Sequence, residues 1–500
     1  MRKSKTTQHK PHVVIIGAGI GSLAASALLA KDGYRVTVLE KNEQAGGRSS
    51  LLVDQGFRFD MGPSWYLMPE VFERYFAHFG KDPKTLLDLQ APDPQYRIFF
   101  HDKTHVDIVR NLDKNCELFE SIEEGAGHML RAYLADSERK YEASLAHFLY
   151  RNMDSVFDLL NVDLMRKGFS LDVFGTMDKH VGRYFESEKL KQIIEYTLVF
   201  LGGAPSNTPA LFSLMSHLDF NQGVLYPKGG FYKVVEALYQ NAIEQGVTFH
   251  FNTPVSKILT DKRRIVGVQT NTGIIEADVL ISNADYVHTE DLLDNARLRT
   301  YDHAYWSKKL PAPSAFLMYL GIQGKLPSLR HHTLYFGKNW IEHFESIFGV
   351  KPYWPKNPSL YINAPSVSDH TVAPEGCENL MILVPVAAGL SDGSKWKKHY
   401  ADFILDYIEK NMNIRLHERI LTQKIFSVDD FTDRYNSWRG NALGGLAHTL
   451  WQSALWRPKN KSAHLKNLFF VGANTNPGIG VPPAIISAEL VRQRVNTLLQ

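Results

Sequence analysis

The stretch Val13-Val14-Ile15-Ile16-Gly17-Ala18-Gly19-Ile20-Gly21-Ser22 decides how this chain folds. Its four leading apolar residues are typical of a buried parallel strand. Gly17 permits a tight turn after that strand, and Gly19 lets the backbone approach a pyrophosphate. The next residues, 23–30, predict a helix whose N-terminal N–H groups face the phosphates. The pattern therefore predicts a strand–turn–helix unit that binds a dinucleotide.

The residues after this unit agree with a dinucleotide site. A second predicted strand, residues 36–39, ends at Glu40. A carboxylate there accepts hydrogen bonds from a ribose diol and repels the 2′-phosphate of NADP. Ser22 stands where the usual fingerprint has its third glycine, with Gly21 one place early, so a serine must fit where helix and strand pack closely. The alternative interpretation is an ordinary strand–helix turn that contains glycines.

The composition indicates a globular chain without signs of nucleic-acid or metal binding. Because 500 residues exceed what one core usually supports, we expect more than one structural unit. The net charge of +3 is small for this length and gives no reason to expect a nucleic-acid partner. Cys116 and Cys377 are the only cysteines, which leaves no disulfide framework and no zinc spacing and suits a reducing, cytoplasmic compartment.

Two uncharged runs, residues 11–30 and 467–488, could be mistaken for membrane segments. The glycines of the first run fall where the strand–turn–helix needs them, and its removal as a signal peptide would delete the dinucleotide site. Pro477, Pro482 and Pro483 break the second run, so it cannot form a straight spanning helix. We expect no transmembrane anchor and a chain that is soluble or peripheral to the membrane.

The order of predicted elements indicates an α/β fold whose dinucleotide domain is interrupted and later completed. A predicted hairpin at 97–109 and a mainly helical stretch at 120–220 interrupt the first α/β alternation. A mixed segment at 305–425 interrupts the second. We expect a discontinuous Rossmann-like domain with an inserted mixed α+β substrate domain that has a helical, membrane-associating part. The boundaries are 1–92, 224–300 and 428–500 for the first domain, and 93–223 and 301–427 for the second.

The residues that follow Glu40 favour FAD over NAD. The double glycine Gly46-Gly47 with Arg48, and then Gly62-Pro63, can wrap a pyrophosphate and a flavin from the side opposite the first fingerprint. No second fingerprint of that spacing occurs in the sequence, so one dinucleotide site serves the chain. If FAD occupies it, electrons enter from the substrate and leave to a small acceptor such as oxygen or a quinone.

These residues resemble the flavin-containing amine oxidase superfamily and, more narrowly, the bacterial-type phytoene desaturases. Five blocks carry the narrower resemblance, at residues 62–69, 225–230, 277–285, 372–377 and 471–482. Two positions depart from the pattern and bear on the flavin environment or the electron acceptor. Asn476 stands where the family has histidine, and Pro483 stands where it has glycine.

The resemblance implies FAD-dependent desaturation of an acyclic carotenoid, phytoene to lycopene or intermediates, by hydride transfer to flavin N5 in carotenoid biosynthesis. It also implies a hydrocarbon substrate drawn from a membrane, with the protein associated peripherally on the cytoplasmic side. The backbone at Val255 resembles the position that faces adenine. The implied cofactor-binding residues are Gly17, Gly19, Gly21, Ser22, Glu40, Lys41, Gly47, Arg48, Gly62, Pro63, Val255, Gly472, Gly478, Gly480 and Val481.

Desaturation depends on aligning a C–H bond against flavin N5 in a dry slot more than on side-chain acids and bases. The sequence contains no Ser–His–Asp set, no HExxH and no paired-carboxylate motif. Arg151 lies in the first insertion, where the family contacts substrate, and is the candidate for a polar role near the tunnel. An ordinary helix-face arginine is the alternative. We expect His331 and His332 to be surface or structural residues.

Two aromatic segments, residues 65–79 and 335–354, have the composition of a membrane interface. We expect the first to pack into the core, whereas both interpretations stay open for the second. For function, the close alternatives are a C30 diapophytoene desaturase or a carotenoid oxygenase or isomerase on the same scaffold. An amine oxidase would need an aromatic cage that we do not identify. A non-catalytic module that carries prenyl chains is the alternative outside enzymes.

Overall fold

The computed structural model describes residues 10–154, 175–453 and 456–499. A five-stranded parallel sheet, the central sheet, forms its base. The strand His12–Ile16 is the middle strand and pairs with Arg35–Leu39 on one side and Val279–Ser282 on the other. The outer strands are Thr248–His250 and Leu468–Phe470. The five strands of this sheet therefore come from three separate parts of the sequence, residues 12–39, 248–282 and 468–470.

Alternate residues of the middle strand enter two different cores. Val13 and Ile15 pack towards a helical layer, in which Ile20–Lys31 lies against Tyr232–Glu244 and Val481–Leu499. Val14 and Ile16 pack on the opposite side of the sheet. That side is covered by an antiparallel three-stranded sheet of Val255–Asp261, Arg264–Thr270 and Gly273–Glu276. Coverage on both faces explains why the strand is a continuous apolar run.

A seven-stranded mixed sheet, the large sheet, forms a second layer. Its only parallel pair joins Tyr96–Phe100 to His332–Phe336. The other pairs are antiparallel, and the longest joins Ser314–Gln323 to Cys377–Val386. In order, its strands are Ile420–Phe426, Ser314–Gln323, Cys377–Val386, Leu360–Asn363, His332–Phe336, Tyr96–Phe100 and His105–Ile108.

Two small ribbons and a set of helices complete the described fold. The ribbons pair Leu51–Asp54 with Phe57–Asp60, and Leu89–Gln90 with Tyr226–Pro227. The helices not yet named are Pro69–Ala77, Pro83–Leu86, Leu112–Ile122, Ala126–Ser144, Met177–Val181, Glu188–Glu195, Leu198–Leu201, Leu214–Ser216, Tyr286–Asp291, His303–Ser307, Trp340–Phe348, Ser394–Met412 and Val428–Tyr435. Within the residues described, none of the helices is both long and apolar enough to cross a bilayer.

Within the described residues the predicted elements are present, and their ends differ by a few residues; residues 155–174 of the predicted helical stretch lie outside the described part of the chain. The first helix begins at Ile20, because Gly19 is extended and its carbonyl already accepts the Leu23 N–H at 3.0 Å. The last helix begins at Val481, because prolines in a first helical turn sacrifice no intrahelical hydrogen bond. The predicted hairpin at 97–109 is confirmed as an antiparallel pair. The domain boundaries stay a prediction.

The two aromatic segments behave differently. In segment 65–79, the helix Pro69–Ala77 buries Val71, Phe72, Tyr75 and Phe76, so core packing is confirmed there. Segment 335–354 is divided: its helix Trp340–Phe348 buries one face and leaves the side chains around Ile341 in solvent.

Candidate active site

One cavity of about 720 Å³ lies between the central sheet and the large sheet and gathers most of the predicted site. Ser22 is fully buried inside the first helix and is not part of the cavity wall. Arg151 is exposed and also lies outside the described wall. The predicted residues that line the cavity are Gly17, Gly19, Gly21, Glu40, Lys41, Gly47, Arg48, Gly62, Pro63, Val255, Gly472, Gly478, Gly480 and Val481.

Glycine backbones make a narrow cradle at one end of this cavity. A Cβ atom on Gly21 would lie 2.7 Å from Asn283 Oδ1 and 2.9 Å from the backbone nitrogen of Gly472. A Cβ on Gly19 or Gly472 would also collide with the Asn283 amide. Asn283 Oδ1 has no hydrogen-bond partner among the described residues. The fingerprint turn and the C-terminal loop therefore both contact the Asn283 side chain. The space beside it admits the glycine backbone of these two segments and excludes any larger residue.

The first helix points its free N–H groups at this cradle. Gly19 is its N-cap and makes no side-chain cap, so the donors of the first turn remain available for a phosphate. Glu40 is 5% exposed at the carboxyl end of the neighbouring strand. Its two oxygens accept the N–H groups of Ala18 at 2.7 Å and Asn42 at 2.8 Å. These two hydrogen bonds fix the backbone of the turn after the first strand, beside the position where a ribose would bind.

Arg48 brings a positive charge to the same end. Its Nη2 donates to Ser437 Oγ at 2.8 Å, and Nε has no partner in the described part of the chain. Burial lowers the pKa of Arg48, while the nearby Asp285 carboxylate opposes that change. A buried guanidinium with an unused donor is suited to an anionic ligand such as a pyrophosphate.

One charged residue of the wall that was not identified from the sequence is Arg434. Arg434 forms a 2.6 Å ion pair with Glu43 and lines the cavity near Lys41. Lys41 Nζ donates to the carbonyl oxygen of Asp433 at 2.7 Å and to Asn436 Oδ1 at 2.9 Å. These contacts join the second strand to the helix Val428–Tyr435, and no local motif encodes such a long-range pairing.

The remainder of the cavity wall is mostly apolar. The strands Ser314–Gln323 and Cys377–Val386 contribute Leu317 and Leu383, and the helical insertion contributes Phe200, Phe212 and Met215. A wall of this composition excludes water and suits a hydrocarbon chain.

One polar cluster lies beside this apolar wall. The hydroxyl of Tyr361 lies 2.8 Å from Ser64 Oγ and 2.7 Å from His332 Nδ1, and it accepts the Trp65 Nε1–H at 3.0 Å. Burial holds the pKa of His332 well below its usual range, and it lowers the pKa of His331 to about 3. Both histidines are therefore buried and neutral at pH 7, which excludes a surface position for them.

The C-terminal loop closes the polar end. The Gly472 N–H donates to Ser487 Oγ at 2.8 Å, and Asn474 Oδ1 accepts the Gly445 N–H at 2.9 Å. Gly472, Gly478 and Gly480 all have positive φ, which only glycine adopts without strain. At these glycines the loop lines the cavity with backbone atoms alone, which leaves space for a planar ring system.

The arrangement fits a dinucleotide at one end and an apolar substrate at the other. The cradle, the free helix N-terminus, Glu40 and Arg48 supply phosphate and ribose contacts, and the C-terminal loop borders the junction of the two ends. This is the architecture of an FAD-dependent oxidoreductase.

Comparisons with known proteins agree. The model of the flavin containing amine oxidoreductase family matches residues 23–496. A carotenoid 3,4-desaturase of Haloarcula japonica is 47% identical over 95% of this chain and 96% of its own length. A zeta-carotene-forming phytoene desaturase of Myxococcus xanthus is 35% identical over 99% and 95%. The crystal structure of an oxidoreductase from Methanosarcina mazei has a TM-score of 0.67, at 18% identity over 96% of this chain and all of the other.

The chain belongs to the flavin containing amine oxidoreductase family. Within that family it is an enzyme similar to the phytoene desaturases, and its cofactor is FAD.

Proposed function

We propose that this enzyme desaturates an acyclic carotenoid, converting phytoene towards lycopene or its intermediates. The observation that carries the proposal is a single cavity whose polar end is built of glycine backbone and whose remainder is apolar. The names of the two relatives support a carotenoid as the substrate. We further propose that the segments 93–223 and 301–427 form the substrate domain.

The protein's part in the reaction is placement. When bound, FAD supplies an oxidised flavin whose N5 accepts a hydride. The apolar wall would hold an extended chain and exclude water, so that one C–H bond is aligned for this transfer. The ring centroids of Trp65 and Phe200 lie 5.6 Å apart, and both rings line the apolar part of the cavity. We propose oxygen or a quinone as the final electron acceptor.

The experiment is anaerobic reduction of the FAD-loaded protein by phytoene in liposomes, followed by pigment chromatography. We expect bleaching of the flavin absorbance and a product with more conjugated double bonds. Bleaching by a C30 diapophytoene alone would replace the proposal with the C30 alternative. An isomerised product would favour the isomerase alternative, and an oxygenated product formed only after air is admitted would favour the carotenoid oxygenase alternative. Failure to retain FAD after supplementation would favour a non-catalytic prenyl-binding module.

We propose a peripheral location on the cytoplasmic face of a membrane, because an acyclic carotenoid is insoluble in water. Trp451 and Trp456 are 67% and 51% exposed, and the segment that carries them begins beside His448, a residue of the cavity wall. Exposed tryptophans suit a membrane interface. A second exposed apolar pair, Ile341 and Val350, lies in the segment that the sequence left open.

Liposome flotation distinguishes which of these two exposed apolar surfaces binds the membrane. We expect the double variant Trp451→Ser/Trp456→Ser to lose most membrane binding, and Ile341→Ser/Val350→Ser to retain it. The reverse result would move the membrane-binding surface to segment 335–354. Retention by both double variants would contradict the proposal.

A further inference from the structure

Arg457 is a buried cation without a counter-ion among the residues that the structure describes. It is 1% exposed, and its Nη2 donates to the carbonyl oxygens of Leu446 at 3.2 Å and Ala473 at 3.3 Å. Its Nε and Nη1 have no hydrogen-bond partner in residues 10–154, 175–453 and 456–499. Burial of a charge with unused donors is costly, so the retention of this arginine needs a reason.

Arg457 lies directly behind the loop that borders the cavity. A Cβ on Gly478 would lie 3.5 Å from the guanidinium carbon of Arg457 and 2.8 Å from His448 Nε2. Ala473, which accepts one of its hydrogen bonds, and Gly478 both line the cavity. The charge therefore acts across a single layer of backbone.

The surroundings do not neutralise this charge. Burial lowers the pKa of Arg457 to about 10, which leaves it protonated at neutral pH. Burial and the Arg457 charge together hold the pKa of the neighbouring His448 well below its usual range, so that ring stays neutral. The field of the guanidinium consequently extends into the cavity.

We propose that Arg457 is a positioning charge that favours the reduced, anionic form of the bound flavin. This inference rests on the FAD assignment and deepens the proposed function. A hydride carries one proton and two electrons from the substrate C–H bond, and its arrival adds one negative charge to the flavin. A fixed cation in a water-poor site stabilises that charge without reorganising during the reaction. Arg457 would thus make the flavin a stronger oxidant towards a hydrocarbon.

The test is the two-electron reduction potential of the FAD-loaded protein, measured anaerobically against a reference dye without substrate. We expect Arg457→Met to shift the oxidised-to-reduced equilibrium at least tenfold towards the oxidised form, a fall of about 30 mV for a two-electron couple. Arg457→Lys keeps the charge and should show less than half of that shift. An unchanged potential in Arg457→Met would overturn the proposal. An equal shift in both variants would overturn it too, because the loss of the guanidinium hydrogen bonds to Leu446 and Ala473, and not the loss of the charge, would then explain the change in potential.

A second variant decides the matter if Arg457→Met does not retain FAD. Asn474 and Arg457 flank Gly445: a Cβ there would lie 3.2 Å from Asn474 Cα and 3.1 Å from Arg457 Nη2. Asn474→Asp keeps the acceptor for the Gly445 N–H and adds a negative charge that offsets the arginine. We expect the potential to fall in the same direction, and no fall would contradict the proposal. Because substrate is absent throughout, failure of the carotenoid assignment would leave these shifts in place.

Discussion

The two ends of the cavity differ in the atoms that line them: backbone atoms line the polar end, and side chains line the apolar end. At the polar end the wall is backbone, and the space beside Gly21 is filled by the Asn283 amide and the Gly472 backbone. At the apolar end the wall is side chain, contributed by residues such as Leu317 and Phe200. Identity at each position matters in the first case, whereas apolarity and volume matter in the second.

This difference separates two kinds of mutational sensitivity. A single carbon atom added at Gly19, Gly21 or Gly472 collides with the Asn283 side-chain amide, and at Gly21 it also collides with the Gly472 backbone. A residue of the apolar wall can be exchanged for another of similar volume at small cost. Variants at the two ends should therefore fail in different ways, one by losing the cofactor and the other by losing the substrate.

The largest effect is expected at the cradle. Gly21→Val places a branched side chain against Asn283 and the Gly472 backbone, where a Cβ alone would already lie within 3 Å of both. We expect the purified variant to contain no FAD and to take up none on addition, as measured by visible absorbance. The matched control is Gly393→Ala, because nothing lies within 4 Å of a Cβ at that position. FAD retention by Gly21→Val would show that the cradle is not the cofactor site.

A loss of activity without a loss of FAD, of nearly the same size, is expected at Phe200. This ring is partly buried and lines the apolar part of the cavity, where a carboxylate would be desolvated and would bring water with it. We expect Phe200→Glu to retain FAD and to form at least about 100-fold less carotenoid product, a loss of the order of 3 kcal/mol. Phe200→Leu should retain most of the activity. A parallel loss of FAD would mean that the two ends do not act separately.

The same contrast explains which parts of the site the sequence predicts. The cradle is encoded locally, because each glycine is required by a turn or a close approach at a fixed spacing from a strand. Gly17, Gly19 and Glu40 could therefore be assigned to one site, and the structure places them on one wall. Ser22 is the exception, since the helix begins at Ile20 and carries its side chain away from the cavity.

The remaining wall is determined by tertiary packing. Asn283 directly follows the strand Val279–Ser282 of the central sheet, and its place between Gly21 and Gly472 follows from strand order, which no spacing rule predicts. The buried cluster around Tyr361 joins residues that lie far apart in the chain. Arg457 follows no motif, and its significance comes from the absence of a counter-charge in the described part of the chain, which only the packed structure reveals.

The smallest effect is a pH-dependent one in the helical insertion, where one carboxyl group is buried. Glu195 is 4% exposed, accepts the Trp340 Nε1–H at 3.2 Å, and has its pKa raised by burial to about 7. An unfolded chain binds this proton only below about pH 4.3. Between these values the folded state holds the extra proton, so the free energy of unfolding falls as the pH rises from about 4 to 7.

Glu195→Gln removes that charge and keeps an acceptor for Trp340. We expect the variant to be more stable than the parent by on the order of 1–3 kcal/mol at pH 8.5, and equally stable at pH 4, in urea unfolding. Glu188→Gln is the control, since Glu188 begins the same helix with its side chain 77% exposed. A stability difference of the same size at both pH values would indicate changed packing. It would contradict the prediction that the titration of the buried Glu195 carboxyl group causes the difference.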